Sequence, residues 1–387
     1  MLNFEFKNPT KIIFGQGEIA KLSTEIPKGA KILVLYGGGS IKSNGIYDEV
    51  MNALSGRQVY EYGGIPANPE YEVLLGALEI IKDKEISFLL AVGGGSVIDG
   101  TKFLAAAAKY DGTPWDILSK PIRTLEGEAL PFGTVLTLPA TGSEMNSGYV
   151  ISRRKTHEKR SSGGPGSFPV FSILDPNVVK SIPHRQLANG IADAYTHALE
   201  QYMTVISDAD LQDRFAESVL ISLQNTAPKL LQQDFDYHTA ANYMWCCTMA
   251  LNGLLQKGVV TDWAVHAIGH ELTAYFGIDH ARTLAIIASS HYHYNFEYKK
   301  EKLAQYAERV WNITEGSLED KAKLAIEKME AFFHSLGIKT KLSDYTKDYK
   351  GTAERIEQAF IDREWLGIGE FKRITPQDVK KIVEMSY

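Results

Sequence analysis

Hydrophobic and polar positions change rhythm about half-way along the chain. In the first half, short apolar runs are bounded by glycine, proline and polar clusters: Lys31–Tyr36 (KILVLY), Gln58–Tyr62, Ile86–Val92 (ISFLLAV), Gly133–Leu138 and Val170–Leu174. Runs of this length between turn residues read as buried strands. Helical patterns separate them, among them the alanine-rich segment Val97–Tyr110. Strands alternating with helices predict a parallel sheet with helices on its faces. After about Pro183 the strand-like runs stop. Gln186–Met203, Leu211–Gln224, Thr239–Leu255, Asp262–Tyr275 and Leu318–Leu336 instead carry apolar residues at helical spacing. The expected fold class is α/β plus all-α: a Rossmann-like parallel-sheet domain over 1–183, then an all-helical domain over 184–387.

Length agrees with that division, since 387 residues at roughly 100–200 per domain suggest two domains. The formal net charge of −6 argues against nucleic acid or an anionic membrane as the main partner. The basic residues Arg153, Arg154, Lys155, Lys159 and Arg160 read either as anion sites or as a solvated loop. No apolar run approaches the roughly 20 residues that span a bilayer. The opening residues show no basic region followed by an apolar run, so no signal peptide is expected. Cys246 and Cys247 are adjacent and cannot bridge distant parts of a fold, which fits a reducing cytoplasm.

Two of the predicted strands run into the same turn, Gly37-Gly-Gly-Ser40 and Gly93-Gly-Gly-Ser96. A helix N-terminus offers unpaired N–H groups and partial positive charge to a phosphate, and glycine lets the backbone approach it. Neither turn is a complete G-x-G-x-x-G fingerprint, and each alone fits a tight structural turn. Two at the carboxyl ends of parallel strands point to a dinucleotide. Gly94, Gly95 and Ser96, with Asp99 one turn on, are the expected pyrophosphate site. Gly38 and Ser40 belong to the expected adenosine-ribose end. Ser40 and Ser96 stand where helix caps would, and their hydroxyls could also meet phosphate. A carboxylate after the first glycines would favour the ribose 2′-hydroxyl of NAD(H). Ser40 with Lys42 close behind favours the 2′-phosphate of NADP(H) instead; the competing reading is a cap that leaves either cofactor acceptable. The loop Thr137–Glu144 (TLPATGSE) is rich in small hydroxylated residues and suits either a ligand contact or an ordinary turn.

In the helical half, Asp193 and His197 lie four apart on one predicted helix face, as do His266 and His270, and His280 follows. Apolar neighbours imply that the first pair is buried, where an uncompensated carboxylate is costly. Carboxylate with imidazole suits Zn²⁺ or Fe²⁺. Each pair could also be a plain hydrogen bond or a satisfied core residue, and spacing alone does not assign the ligands. His291 and His293, two apart, point to different sides of a helix and are read as non-ligands.

The strings Phe14-Gly-Gln-Gly17, Tyr36–Ser40, Gly93–Lys102 (GGGSVIDGTK), Leu138–Glu144 (LPATGSE), Asp193–His197 (DAYTH), His266–His270 (HAIGH), Asp279-His280 and Gln305–Trp311 (QYAERVW) run in order over nearly the whole chain. With them the sequence resembles the iron-dependent (group III) alcohol dehydrogenases, in the branch of butanol dehydrogenases and NADPH-dependent aldehyde reductases. The resemblance implies a dehydroquinate synthase-like fold, usually dimeric, with the metal on Asp193, His197, His266 and His280. It adds cofactor contacts at Asn68, Thr137, Thr141, Ser143 and Lys159, and a histidine near the nicotinamide at His270. The implied reaction is hydride transfer between NADP(H) and a primary alcohol or aldehyde, with Fe²⁺ or Zn²⁺ as Lewis acid. Three rivals stand beside it: a glycerol- or diol-type dehydrogenase, a carbon–oxygen lyase like dehydroquinate synthase, and a non-catalytic binding protein. The lyase needs basic residues for an acidic phosphorylated substrate, and only Arg282 adjoins the His/Asp segments.

Overall fold

The structure, a computed structural model, describes residues 1–232 and 235–387. It divides into two compact units, one of Lys7–Pro183 with Phe235–Asn252, the other of Met1–Phe6, His184–Asp234 and Gly253–Tyr387.

The first unit is built on β1 (Lys11–Phe14), β2 (Lys31–Tyr36), β3 (Gln58–Tyr62), β4 (Phe88–Gly94), β5 (Phe132–Leu138) and β8 (Phe171–Leu174). These form a six-stranded sheet in the order β1-β8-β5-β4-β2-β3. Every neighbouring pair is parallel. Ile32–Leu35 and Phe88–Gly93 are buried without interruption, as expected of parallel strands covered on both faces. Its helices are α1 (Leu22–Glu25), α2 (Ser40–Ser43), α3 (Ile46–Ala53), α4 (Tyr71–Asp83), α5 (Gly95–Ala107) and α6 (Asp116–Ser119).

Predicted β2 and β3 match residue for residue. The predicted strand Ile86–Val92 lies two residues later, and the helix expected over Val97–Tyr110 covers Gly95–Ala107, because β4 passes into α5 at Gly94/Gly95 without a loop. The basic stretch read as anion sites or a solvated loop lies on an antiparallel hairpin of β6 (Gly148–Arg153) and β7 (Glu158–Gly163), with Arg154 and Lys155 in its exposed turn and Lys159 buried. Backbone pairing there overrides a sequence too polar to read as strand. β1 also escapes sequence reading, being four residues long at the sheet edge.

In the second unit lie α7 (His184–Tyr202), α8 (Asp210–Leu231), α10 (Ala264–Phe276), α11 (His280–Tyr294), α12 (Phe296–Trp311), α13 (Leu318–Ser335), α14 (Thr352–Asp362) and α15 (Pro376–Glu384). The remaining helix, α9 (Tyr237–Ala250), packs within the first unit: Tyr243 donates to the Pro139 carbonyl and Thr248 to Glu144. It stops at Ala250, short of the expected Leu255. The helix expected from Asp262 starts at Ala264, because Trp263 adopts a left-handed conformation (φ 66°). Among the described residues, no helix is long and apolar enough to cross a membrane.

Candidate active site

Two groups of predicted site residues assemble, one in each unit. In the first, the β4–α5 turn is the centre. β4 shifts register against β5 between Gly93 and Gly94. A β-carbon on Gly94 would lie 2.8 Å from Leu138 Cβ, and one on Gly95 would lie 2.7 Å from Thr141 Cγ2 and closer still to its Oγ1. Both glycines are therefore required by close packing of the Thr137–Glu144 loop against the N-terminus of α5.

Side chains around that turn are hydrogen-bonded into a frame. Asn68, in a left-handed conformation (φ 57°) that Asn tolerates, donates its backbone N–H to Ser96 Oγ at 3.2 Å. Its Oδ1 accepts from Lys159 Nζ at 2.9 Å. Ser143 Oγ donates to Asp99 Oδ1 at 2.5 Å, while Asp99 Oδ2 accepts from Val150 N at 2.9 Å. Thr141 Oγ1 accepts from Ser143 N at 3.2 Å. Asn68, Ser96, Asp99, Thr141, Ser143 and Lys159, drawn from four separate stretches of chain, thus meet around one helix end, while Thr137 is the last residue but one of β5.

The sequence did not single out Lys102, yet it supports the frame from within. Its side chain is fully buried and donates to Ser143 Oγ (2.8 Å), Asn146 Oδ1 (3.0 Å) and the Gly148 carbonyl (2.8 Å). Burial pushes its ammonium down to about 8, against the pull of Asp99 and Glu144. Burial likewise pushes Asp99 up, opposed first by Lys102. Its signal was legible only in hindsight: a lysine on the apolar face of an alanine-rich helix.

The serine caps expected at Ser40 and Ser96 are not there. Gly39, left-handed at φ 99°, occupies the N-cap of α2, and Gly94 that of α5; the serines fall one and two residues inside. At the β2 turn, Tyr36, Gly37, Gly38, Gly39, Lys42, Gly63 and Gly64 line a depression of about 350 Å³. Ser40 is exposed at the start of α2. The Lys42 ammonium sits 4.9 Å from the centre of the Tyr36 ring and 4.8 Å from that of Tyr47. Its hydrogen bond to Tyr36 holds it above the ordinary lysine range, so it stays charged at neutral pH.

In the second unit, α7, α10 and α11 supply the acid and the histidines. Gly277 (φ 70°) ends α10 in the left-handed conformation, and α11 begins three residues later at His280. A β-carbon on Gly269 would lie 3.0 Å from Leu284 Cδ2, so this glycine lets the two helices approach closely. Asp279, just before His280, accepts from Arg185 Nε (2.8 Å) and Asn189 Nδ2 (2.7 Å), tying the start of α11 to α7.

Asp193, His266 and His280 each present a ligand atom within 4.8 Å of the others. Asp193 is only 4% exposed. His197 borders them. Its Nδ1 is 3.7 Å from Asp193 Oδ1, too far for the plain Asp–His hydrogen bond that spacing alone allowed, and its ring stacks on His266 at 4.5 Å. Among the described residues, its buried Nδ1 has no hydrogen-bond partner. Burial pushes its imidazole down to about 4, keeping it neutral with a lone pair available. The carboxylate of Asp193 and the imidazoles of His266 and the half-buried His280 converge, with the buried His197 stacked on His266, and this donor set fits a divalent transition metal. His270 packs beside them, its ring 4.9 Å from His280 and 6.2 Å from His266. His291 and His293 are engaged elsewhere, with Asp262 and Glu330 respectively, each at 3.4 Å.

Glu200 escaped sequence reading. It lies seven residues after Asp193, so Asp193, His197 and Glu200 share one face of α7. Fully buried, it accepts from Val265 N at 2.7 Å and from both the backbone N–H (3.2 Å) and Nδ1 of His266. Burial and the nearby Asp262 carboxylate push its carboxyl up to about 8, against the pull of His291 and the backbone N–H groups of Val265 and His266.

Residues 9–176 match the family described as iron-containing alcohol dehydrogenase, and residues 187–387 match the C-terminal part of the Fe-containing alcohol dehydrogenase family. The chain belongs to the iron-containing alcohol dehydrogenase family. It is an oxidoreductase, as the resemblance implied. The NADPH-dependent aldehyde reductase YqhD of Escherichia coli is 50% identical over 350 residues, 90% of each chain. The probable NADH-dependent butanol dehydrogenase 1 of Bacillus subtilis is 41% identical over the whole of both chains. A crystal structure of E. coli YqhD superposes with a TM-score of 0.96 at 46% identity, covering 100% of this chain and 99% of the other. The butanol dehydrogenase and aldehyde reductase branch of the family is thereby confirmed, as is the two-part fold; membership of an alcohol dehydrogenase family also removes the lyase and binding-protein rivals.

Proposed function

We propose that this chain is a metal-dependent, NADP(H)-preferring aldehyde reductase that also oxidises short-to-medium primary alcohols. The observation that carries the proposal is the convergence of Asp193, His266 and His280, with His197 stacked alongside. The aldehyde reductase and butanol dehydrogenase names of its relatives support the substrate class, and the glycerol- or diol-type reading is not favoured.

Asp193, His197, His266 and His280 would hold Fe²⁺ or Zn²⁺. A divalent ion so held supplies a Lewis acid for a carbonyl or alcohol oxygen. In this reading residues 1–183 form the dinucleotide-binding domain and residues 184–387 the metal-binding, catalytic domain. Backbone N–H groups at Gly94, Gly95 and Ser96 receive the pyrophosphate at the α5 N-terminus. Asn68, Asp99, Thr137, Thr141, Ser143 and Lys159 shape that cradle. Gly38 leaves room for the adenosine ribose, and Ser40 with the charged Lys42 accepts a 2′-phosphate. Relatives named NADPH-dependent and NADH-dependent both occur; in this reading Ser40 and Lys42 set the preference of this chain. His270 relays a proton or orients the nicotinamide. The cofactor supplies the hydride chemistry; the protein positions it. We further propose a cytoplasmic homodimer acting on small molecules, with no nucleic-acid or membrane partner.

The test follows NADPH absorbance with butyraldehyde in protein stripped of metal and reloaded separately with Fe²⁺ and Zn²⁺, repeated with NADH. Metal-dependent oxidation favouring NADPH is expected. A preference for NADH overturns the Ser40 argument alone; no turnover with either cofactor across short aldehydes overturns the proposal.

A further inference from the structure

His266 is held from behind. Its Nδ1 meets Glu200 Oε2, and the same oxygen accepts from the His266 backbone N–H at 3.2 Å. The other carboxylate oxygen accepts from Val265 N at 2.7 Å. α10 starts without a side-chain cap of its own, because Trp263 at its N-cap has no side-chain acceptor. Asp262 Oδ1 takes the Ala264 N–H at 3.0 Å, so two carboxylates from outside the helix satisfy its first turn, where negative charge is favoured.

Glu200 is itself anchored. Its carbonyl accepts from Asp262 N at 2.9 Å. Behind Asp262 lies Lys299, whose Nζ is 2.7 Å from Asp262 Oδ2 and 3.0 Å from Glu370 Oε2 and also donates to the Met203 carbonyl at 2.7 Å. Glu370 Oε1 accepts from Val205 N at 2.7 Å. All four of these side chains are at most 6% exposed. Such a chain of buried charges is costly to assemble, and loosening any member leaves the others uncompensated. It fixes the carboxylate that touches His266.

We infer that Glu200 is a positioning residue for the metal centre: by accepting the Nδ1 proton of His266 it selects the tautomer whose Nε2 lone pair is left for an ion. An imidazole carries one N–H when neutral, so a proton fixed at Nδ1 makes Nε2 the acceptor. The hydrogen bond also fixes the ring plane and raises the basicity of the ligating nitrogen, and partners of this kind are typically worth about 10–100-fold in metal affinity. The inference rests on the metal-site reading proposed above.

The probe is Co²⁺, titrated into chelator-stripped full-length protein and read from its visible absorption bands, with thermal unfolding of the metal-free form followed in parallel. Glu200→Gln keeps the shape and one acceptor oxygen but replaces the other with an NH₂ group that cannot accept, so the acceptors that Oε1 and Oε2 offer to Val265 N and to His266 cannot both be kept. The expected result is a Co²⁺ Kd raised about 10–100-fold, with the metal-free melting temperature little changed. An unchanged Kd overturns the inference and leaves Glu200 as a cap for α10. Absence of Co²⁺ binding in the wild type, with Asp193→Asn behaving identically, overturns the metal-site reading itself and the inference with it. Should Glu200→Gln not fold, ¹⁵N spectra of the Zn²⁺-loaded wild type decide, the His266 signals being assigned by their loss in His266→Gln. Protonation at Nδ1 is expected, and an Nε2–H tautomer overturns the inference.

Discussion

The side chain of Thr141 fills the space that a β-carbon on Gly95 would occupy, with Cγ2 at 2.7 Å from it. The first residue of α5 and the loop after β5 are thereby pressed together at the helix end read as the pyrophosphate site. Gly95→Ala forces one of them to move, and overpacking of this kind costs about 1–3 kcal/mol. The expected outcome is a lower melting temperature and an NADPH Kd raised at least about tenfold, one decade being ~1.4 kcal/mol. Thr141→Ala in the same chain removes Oγ1 and Cγ2 and should restore part of the stability. A double-mutant cycle by denaturant unfolding checks this, and additivity of the two substitutions would refute the packing argument.

In the proposed metal site, Asp193 sets ion binding against the fold. Its carboxylate is buried beside His197 and His280, at 3.7 and 3.8 Å, and burial of an acid is costly unless a cation compensates it. Asp193→Asn is therefore expected to leave the metal-free protein as stable as the wild type or more so, while removing most of the stabilisation that Zn²⁺ confers. Ligand linkage gives ~2.7 kcal/mol at a hundredfold excess over Kd. Melting curves with and without Zn²⁺ check it; equal Zn²⁺-induced shifts in both proteins would contradict the role given to Asp193.

How much of this was legible depended on which force set each feature. β2 could be bounded to the residue because apolar burial sets its length and its limits, whereas β3, with no buried residue, is bounded by the turn residues Gly56 and Gly63 on either side of it. The hairpin of β6 and β7 could not, since Glu158-Lys-Arg-Ser-Ser-Gly163 is polar and its strand character comes from backbone pairing with a partner. Asp193, His197, His266 and His280 stood out as chemistry-bearing residues in apolar surroundings. Glu200 stood three residues beyond His197 and offered no signal in itself; its role appears only when α10 is placed against α7. The caps misled for a similar reason: a serine after three glycines looks like an N-cap, but Gly39 at φ 99° had already taken that place.

Lys102 predicts a pH dependence. Burial lowers its pKa from the ordinary lysine value of 10.5 to about 8. Between these values the folded chain binds fewer protons at this site than the unfolded chain, so this residue's contribution makes stability rise with pH across about 8 to 10.5. Below 8 both states are protonated and the contribution is flat. Urea unfolding of the wild type and Lys102→Met at pH 8 and pH 10 isolates it, because other groups titrating in the window are common to both. The wild type should gain more stability, or lose less, over that interval by an amount on the order of 1–3 kcal/mol. Identical pH slopes would mean that Lys102 keeps an ordinary pKa.

His270 separates proton transfer from packing. Its ring is 4.9 Å from His280, one turn after His266 on α10. If it relays a proton, His270→Asn should lower kcat by about 10²–10⁴ and flatten the pH–rate profile, with Co²⁺ affinity and melting temperature near wild type. A packing role predicts the reverse, lost stability with kcat within a few-fold.

The cofactor preference proposed for Ser40 turns on charge. Among the described residues that line the depression at the β2 turn, the charged side chain is Lys42, held over Tyr36 and Tyr47 and protonated at neutral pH. Ser40→Asp places a carboxylate at the start of α2, within the same turn. It would repel a 2′-phosphate and offer an acceptor to a 2′-hydroxyl instead. It would also sit at a helix N-terminus, where a carboxylate is tolerated, so the fold should survive. Like charges about 4 Å apart near a protein surface cost up to ~4 kcal/mol. The expected loss in kcat/KM for NADPH is therefore about 10–1000-fold, while kcat/KM for NADH stays level or rises. Lys42→Ala should weaken NADPH selectively and leave NADH nearly unchanged. Parallel losses with both cofactors in either variant would show that this turn does not read the 2′ position.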